Sequence, residues 1–359
     1  MSVDEMRLKS NIRDYFVRFV PSPAFVTELM GLPNPLFIVD ENVWASHGEG
    51  CLAPLKNADT IILPIAEERK SLATVGELYE QIMARSPKKN LNLISIGGGI
   101  TQDVSGFVAS TLYRGVAWTY VPTTLLAQTD SCIGAKTSLN FLRYKNLIGT
   151  FYPPVAIYVH APFLVTQKDV DYFSGLGELV KLHLMGGVED ARQLELALPL
   201  LVSRDAVALL PAVRRALTIK KGYIEEDEFD TGRRNMLNYG HCFGHALETA
   251  TDFAVPHGQA VVIGMILANM VAARRGLLAP ATERHLARNV LRPIIRVDVN
   301  ALQIDPEKII TAMGQDKKRT GAGLPLVMLV DGQGMIKADD LTPAEVRQAL
   351  DDFWGSTTR

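Results

Sequence analysis

Three histidines lie close together in the second half of the sequence. His241 and His245 are four positions apart, and His257 completes a group of three histidines within 17 residues, out of seven in the chain. Side chains four positions apart share one face of a helix, so two imidazoles at this spacing could bind one metal ion. A single histidine is more often a buried structural residue than a ligand. Three histidines with neighbouring glycines favour a metal site.

Three imidazoles alone make an incomplete set of metal ligands, and a carboxylate would complete it. The candidate is Glu178, which shares a helix face with Lys181 in the sequence Gly-Glu-Leu-Val-Lys. A glutamate and a lysine at this spacing are usually a surface ion pair. The spacing alone therefore leaves both interpretations open.

Two other segments could bind an anion. Gly97, Gly98 and Gly99 follow a strand pattern, and glycines before a helix let the backbone approach a pyrophosphate closely. The segment is not a G-x-G-x-x-G motif, so a structural turn is an equally good explanation. Lys136 and Lys145 lie among small and apolar residues, which favours a phosphate ligand, although surface lysines with extended side chains are the commoner case.

Length and composition limit what these residues could belong to. The chain has 359 residues, enough for roughly two domains, and is 47% hydrophobic and 21% charged, which excludes a mainly disordered protein. Its net charge is 37 − 39 = −2, so it lacks the overall positive field that non-specific nucleic-acid binding needs. Any anion site must be local, and we expect no nucleic-acid partner.

The cysteines and the apolar segments indicate the compartment. The three cysteines are far apart and form no C-x-x-C motif, which supports neither a disulfide framework nor a cysteine-zinc ribbon. The first residues lack the order of a secretion signal. The most apolar stretch, 260–273, is shorter than a bilayer requires and is typical of a buried helix. We expect a cytoplasmic protein that does not contact membranes.

The elements that must position these residues differ between the two halves. Short apolar runs alternate with helical patterns in the first half, which predicts a mostly parallel α/β sheet with helices on both faces. After residue 168 helical patterns dominate, so we place the domain boundary there. Strands are predicted at 36–39, 60–63, 91–96, 118–121 and 155–159, with a possible late one at 324–329; helices are predicted at 71–86, 178–185, 192–201, 206–223, 242–251, 260–275 and 281–290.

Taken in order, these segments resemble the sugar phosphate cyclase superfamily, and within it most closely the 3-dehydroquinate synthase family. The resemblance extends from 40 to 317. It implies a Rossmann-like NAD-binding α/β domain at 1–168, an all-α metal- and substrate-binding domain at 169–359, and catalysis in the cleft between them. The segments that carry it are Gly97–Gly99 with Asp103, 113–116, 121–127, 130–146, Glu178 with Lys181, 234–245, His257 with Gly258, and 316–318.

The resemblance also implies roles for individual residues. It assigns zinc, or cobalt, to Glu178, His241 and His257, and it moves His245 to the substrate pocket. Arg114 would reach the active site of the partner in a homodimer. The implied NAD residues are Asp40, Asn42, Glu67, Lys70, Gly98, Gly99, Asp103, Thr123, Thr124, Asp130, Lys145 and Thr166. The implied substrate residues are Lys136, Asn146, Lys181, Lys220, Arg234, Asn238, His245 and Lys317.

The activity implied is that of a carbon–oxygen lyase of the shikimate pathway, which supplies aromatic amino acids. It converts the sugar phosphate 3-deoxy-D-arabino-heptulosonate 7-phosphate to 3-dehydroquinate and phosphate. Tyr144 and Gln259 depart from the family pattern and leave open a cyclase of secondary metabolism with another substrate. A dehydrogenase similar to glycerol dehydrogenase and a non-catalytic sugar-phosphate-binding protein are further alternatives.

Overall fold

The structure is a computed structural model that describes residues 4–142, 144–299, 301–302, 304–315 and 323–357. It consists of two compact units, Met1–Gln167 and Lys168–Arg359. Lys317, which the resemblance assigns to the substrate, lies outside the described residues. Among the residues described, no helix is long and apolar enough to cross a membrane.

The first unit is built on a seven-stranded sheet in the order β1-β2-β9-β6-β5-β3-β4, in which only the β1–β2 pair is antiparallel. A separate antiparallel hairpin joins β7 and β8. The strands are β1 (Glu5–Leu8), β2 (Tyr15–Phe19), β3 (Pro35–Asp40), β4 (Thr60–Leu63), β5 (Asn92–Gly97), β6 (Ala117–Pro122), β7 (Lys136–Phe141), β8 (Tyr144–Phe151) and β9 (Ala156–Val159), and the α-helices are α1 (Phe25–Met30), α2 (Glu41–His47), α3 (Leu72–Met83) and α4 (Gly99–Thr111).

The parallel part of this sheet has a topological switch point. The chain passes from β3 outward to β4 and then returns past β3 to β5, so the loops after β3 and β5 diverge. In doubly wound folds, ligands bind at the carboxyl ends of such strands. β3 ends at Asp40 and β5 ends at Gly97, so both expected NAD segments begin at this point.

The buried strands are those that the sequence predicts. β3, β5, β6 and β9 are nearly continuous apolar runs, as expected for parallel strands covered on both faces. Their side chains form a core with α1 that includes Phe25, Phe37, Ile94 and Tyr158. The predicted α/β fold of this half is confirmed.

The second unit is mostly helical and contains one antiparallel hairpin. The predicted late strand is present as β10, but its partner β11 was not predicted, because its sequence is largely polar. The all-α expectation for this half therefore needs that addition. The helices are α5 (Asp169–Met185), α6 (Val188–Val202), α7 (Ala206–Glu226), α8 (His241–Ala250), α9 (His257–Arg274), α10 (Pro280–Leu286), α11 (Pro306–Gly314) and α12 (Pro343–Thr357), and the strands are β10 (Leu324–Val330) and β11 (Gly334–Leu341).

The helix α9 lies at the centre of this unit. Apolar residues occur all around it, and most of its side chains are buried, as expected for a helix inside a protein core. It packs against α5, α8, α12 and β10. The sequence-based interpretation of the stretch 260–273 as a buried helix is correct.

Candidate functional site

Glu178, His241 and His257 converge inside the second unit. Glu178 lies in the middle of α5, whereas His241 and His257 are the first residues of α8 and α9. Oε1 of Glu178 is 3.4 Å from Nε2 of His241 and 3.3 Å from Nε2 of His257. Three potential ligand atoms therefore lie within 4.8 Å of one another, which is compatible with one metal ion.

Glycines bring α5 and α9 into backbone contact at this point. A Cβ atom at Gly258 would lie 1.8 Å from the backbone oxygen of Ser174, and one at Gly177 would lie 2.4 Å from the backbone oxygen of Gly258. No side chain fits at either position without moving a helix. Because Gly177 precedes Glu178 and Gly258 follows His257, this contact fixes the distance between the two candidate ligands.

A second pair of glycines brings the start of α8 against α9. Gly240 has a φ of +79°, a conformation that favours glycine, and it immediately precedes His241. A Cβ atom at Gly264 would lie 2.0 Å from the backbone oxygen of Gly240. The turn and the close contact together hold His241 near His257.

Two charged side chains are almost completely buried at this site, which is unfavourable unless they are paired. Lys181 and Glu178 are 2% and 1% exposed, and Nζ of Lys181 is 2.6 Å from Oε2 of Glu178. Burial raises the pKa of Glu178, but Lys181 and the two imidazoles outweigh it and hold that pKa well below its usual value. Burial, reinforced by Lys181, holds the pKa of His241 well below its ordinary value. The site thus presents an ionised carboxylate and a neutral imidazole, the forms that bind metals.

Glu248 is a site residue that sequence reasoning missed. Its Oε2 is 3.0 Å from Nδ1 of His257. Burial lowers the pKa of His257, but hydrogen bonds with Glu178 and Glu248 outweigh it and raise that pKa to about 10. The signal in the sequence is spacing, since Glu248 lies three positions after His245 and seven after His241 on one helix.

The expected substrate residues of the second unit are only partly brought together. Asn238 and His245 line one small cavity with His241, and the β10–β11 hairpin contributes Lys337 to the same cavity. Lys181 contacts Glu178, as described above. Two other expected substrate residues, Lys220 on α7 and Arg234 in the turn before α8, are buried at 6% and 4% exposure.

In the first unit, the segments expected to bind NAD lie at the switch point. The side chain of Asp40 caps α2 by accepting hydrogen bonds from the amides of Asn42 and Val43. Gly99 begins α4, and a Cβ atom there would meet nothing within 4 Å. The hydroxyl of Thr123 is buried without a hydrogen-bond partner among the described residues. An open helix N-terminus beside an unsatisfied hydroxyl fits a phosphate-containing ligand.

A hydrogen-bonded cluster joins two groups of expected residues in this unit. Nζ of Lys70 is 2.5 Å from Oδ2 of Asp103 and 2.5 Å from Oδ1 of Asn146. The hydroxyl of Ser138 is 3.0 Å from the same two oxygens. Burial raises the pKa of Asp103, although Lys70 and Ser138 oppose this effect. Lys70 and Asp103 were expected at the cofactor and Asn146 at the substrate, so the cluster connects the two sets.

The remaining expected residues of the first unit are more dispersed. Glu67 accepts a hydrogen bond of 2.9 Å from the side chain of Asn140, and Nζ of Lys145 is 3.8 Å from Glu67. Oγ1 of Thr166 is 2.8 Å from Nε2 of His47. The others are Thr124 beside Gly98, Asp130 in the π-helix Ala127–Ser131, the exposed Lys136 on β7, and Arg114 in an exposed turn.

Comparisons with known proteins give a consistent result. The family models described as 3-dehydroquinate synthase N-terminal and C-terminal match residues 60–174 and 175–319. The 3-dehydroquinate synthase of Dehalococcoides mccartyi is 34% identical over 291 residues, covering 81% of this chain and 80% of that protein. The 3-dehydroquinate synthase of Cereibacter sphaeroides is 34% identical over 367 residues, covering 98% and 99%.

The chain belongs to the 3-dehydroquinate synthase family.

A solved structure agrees with this assignment. The 2-epi-5-epi-valiolone synthase of Streptomyces hygroscopicus subsp. jinggangensis, with NAD+ and Zn2+ bound, is 27% identical and has a TM-score of 0.79, covering 97% of this chain and 98% of that one. Similarity to both synthases and a related cyclase confirms the sugar phosphate cyclase fold. Glu178, His241 and His257 all lie within the part of the chain that the C-terminal 3-dehydroquinate synthase model matches.

The glycine contact between α5 and α9 predicts the effect of a single methyl group. In Gly258→Ala the new Cβ would overlap the backbone of Ser174, so we expect a loss of about 3 kcal/mol in the free energy of unfolding, measured in urea. The control is Gly222→Ala in α7, where a Cβ atom meets nothing within 4 Å and where alanine should add about 0.5–1 kcal/mol. Equal stability of Gly258→Ala and the wild-type protein would contradict the close contact.

The Lys70–Asp103 pair predicts that two neighbouring substitutions differ in their effect on the free energy of unfolding. Lys70→Met would leave a largely buried carboxylate without its cation, so we expect a loss of about 3 kcal/mol, part of which Asp103→Asn should restore in the double variant. The neighbouring Arg69–Glu77 pair is more exposed, with side chains 33% and 49% accessible, so Arg69→Met should cost at most about 1 kcal/mol. If urea unfolding gives similar losses for Lys70→Met and Arg69→Met, the cluster has no special role in stability.

Proposed function

We propose that this chain is a 3-dehydroquinate synthase that converts 3-deoxy-D-arabino-heptulosonate 7-phosphate to 3-dehydroquinate and inorganic phosphate. The observation that carries the proposal is the buried convergence of Glu178 with His241 and His257, in a chain about a third identical to curated synthases. Burying a carboxylate is unfavourable in free energy unless it pairs with a cation or coordinates a metal ion. The chemistry of these three side chains suits a divalent metal ion with open positions for substrate.

The metal ligands in this proposal are Oε1 of Glu178 and the Nε2 atoms of His241 and His257. Zinc and cobalt suit the same set of ligands. A bound divalent ion would act as a Lewis acid that lowers the pKa of substrate hydroxyls at this position. Lys181 keeps Glu178 ionised, and burial keeps His241 neutral, so the chain holds both ligands in their binding forms.

The proposed NAD site lies in the first unit, with Asp40 at the end of β3, Asn42 in the first turn of α2, and Gly98 and Gly99 at the start of α4. A bound NAD would supply a hydride acceptor at this site, and it would be regenerated because the proposed reaction involves no net oxidation. The open space at Gly99 and the unsatisfied hydroxyl of Thr123 support this placement. The further residues assigned to NAD are Glu67, Lys70, Asp103, Thr124, Asp130, Lys145 and Thr166.

The substrate is a dianionic phosphate ester with a carboxylate, so its recognition requires cations and hydrogen-bond donors. We assign this task to basic and amide side chains, since binding energy there also keeps the flexible sugar in one orientation for its intramolecular ring closure. Asn238 and His245 share a cavity with His241, which supports their role near the metal. The other residues assigned to the substrate are Lys136, Asn146, Lys181, Lys220, Arg234 and Lys317.

Turnover tests the proposal directly. With substrate, metal and a trace of NAD, we expect equal amounts of phosphate and 3-dehydroquinate, no net NADH, and loss of activity when a chelator removes the metal. Glu178→Gln should lower kcat by a factor of roughly 100 or more, because it weakens metal binding and removes the carboxylate that Lys181 contacts. Glu189→Gln, at a surface ion pair on α6, is the control and should behave as wild type.

No turnover with metal and NAD present would refute this assignment, and turnover only of sugar phosphates without a carboxylate would favour a related cyclase.

Tyr144 and Gln259 are the two departures from the family pattern that raised the alternative of a related cyclase, and Gln259 is a structural residue here. Its amide donates to the backbone oxygens of Phe173 and Ile294 and accepts from the amide of Arg296. A glutamate could not make both donations, so Gln259 says little about the substrate. Tyr144 on β8 remains the departure closest to expected site residues.

The proposal includes a cytoplasmic homodimer in which Arg114 reaches the partner's active site. Arg114 is exposed, and a turn with positive φ at Tyr113, Arg114 and Gly115 holds it out from the unit. Light scattering should give twice the 39.4 kDa chain mass. Mixing Arg114→Ala chains with Glu178→Gln chains should restore activity, because one mixed site carries neither substitution. A monomer that is active at assay concentration would contradict this part of the proposal.

A further inference from the structure

We propose that Glu248 is a positioning residue that orients His257 for metal binding by accepting the hydrogen of its Nδ1. This inference deepens the proposed function and rests on the metal site within it. It concerns a residue that neither the histidine spacing nor the family resemblance singled out.

The imidazole of His257 lies between two carboxylates from different helices. Its Nδ1 is 3.0 Å from Oε2 of Glu248 on α8, and its Nε2 is 3.3 Å from Oε1 of Glu178 on α5. A carboxylate can only accept a hydrogen bond, so Glu248 keeps the ring hydrogen on Nδ1. A bound metal ion would displace the hydrogen of Nε2, and the lone pair of that nitrogen would then face Glu178, which is the direction that a shared metal ion requires.

The two candidate histidine ligands are oriented by different means. His241 places its Nδ1 3.2 Å from the backbone oxygen of Tyr239, so the partner of its Nδ1 is a backbone group. His257 begins α9 and its side chain is 36% exposed, so packing encloses it less completely. The carboxylate of Glu248 is only 13% exposed and therefore makes an oriented, poorly hydrated acceptor. His257 is the ligand whose orientation a side-chain substitution can test.

A second grouping of side chains offers a different role for Glu248. His245, Glu248 and His257 also have potential ligand atoms within 4.8 Å of one another. A metal there would use Nδ1 of His257, whereas a metal at Glu178 and His241 uses Nε2. We favour the site at Glu178, His241 and His257, because Glu178 is almost completely buried and faces the Nε2 atoms of both histidines. Glu248 then acts through His257 and does not touch the metal.

Metal affinity of the full-length protein, measured without substrate, tests this inference. Purified metal-free chains would compete with a chromophoric chelator for Zn2+, and Co2+ absorption spectra would report the geometry of the ligands. We expect Glu248→Gln to weaken binding about 10-fold and Glu248→Ala up to about 100-fold, with a changed Co2+ spectrum and one metal per chain. Glu248→Gln keeps the shape of the side chain and covers the case in which the alanine variant fails to fold.

The matched control is Glu195→Gln. Glu195 pairs with His285 at 2.9 Å on the surface of the same unit, so this substitution removes an equivalent carboxylate–imidazole contact away from the site. Its Zn2+ affinity and Co2+ spectrum should equal those of the wild type. Losses of the same size in both variants would show a general effect on stability and would overturn the inference.

Two other results would also overturn it. Wild-type affinity and spectrum in Glu248→Ala would show that His257 needs no orienting partner. Complete loss of binding in Glu248→Ala, with binding retained in His241→Ala, would place the metal among His245, Glu248 and His257. A wild-type protein that binds metal but does not convert the heptulosonate would refute the proposed function alone, because the affinity measurements require no turnover.

Discussion

The contact on which the candidate metal site depends is the packing of helix backbones against one another without intervening side chains. Each candidate ligand has a glycine as its neighbour in the sequence, and those glycines, Gly177, Gly240 and Gly258, lie where α5 and α8 meet α9. Ordinary helix packing keeps axes 8–10 Å apart, with side chains between them. Removing these side chains lets ligands on three separate helices converge without long side chains or flexible loops. The candidate metal site is thus a consequence of how the core is packed.

That packing also explains why the site tolerates its charges. A buried ion pair such as Lys181 and Glu178 contributes little to stability after the cost of desolvation, and it is strongly destabilising if one partner is lost. The second unit compensates with a large apolar helix, α9, that is buried on all sides. The apolar core around α9 stabilises the unit, so the buried polar groups do not need to contribute to its stability. This division is typical of catalytic sites that must hold charged groups in fixed positions.

Local patterns in the sequence predicted much of the fold, but fewer of the contacts. The apolar strands β3, β5, β6 and β9 and the long helices follow from periodicity and composition. The short strand β2 and the polar hairpin β7–β8 have weaker patterns, and tertiary contacts determine them. The helical spacing of His241 and His245 points to a pair on one helix, whereas the imidazole that faces Glu178 together with His241 belongs to His257, 16 positions away on α9. Spacing places Glu248 on the helix face of His241 and His245, but its contact with His257 follows only from the direction of the His257 ring.

The cluster in the first unit shows a further limit of assigning residues to separate roles. The resemblance assigns Lys70 and Asp103 to the cofactor and Asn146 to the substrate. The ammonium group of Lys70 nevertheless contacts side-chain oxygens of both Asp103 and Asn146. Asn146 adopts a positive φ, and its amide donates to the side chain of Asn140. The hairpin is therefore fixed in the conformation that presents Asn146 to Lys70. In a partly buried hydrogen-bonded network, a change at one member alters the field at the others. Lys70, Asp103 and Asn146, expected in two different roles, therefore form one electrostatic group, and substitutions within it are expected to be non-additive.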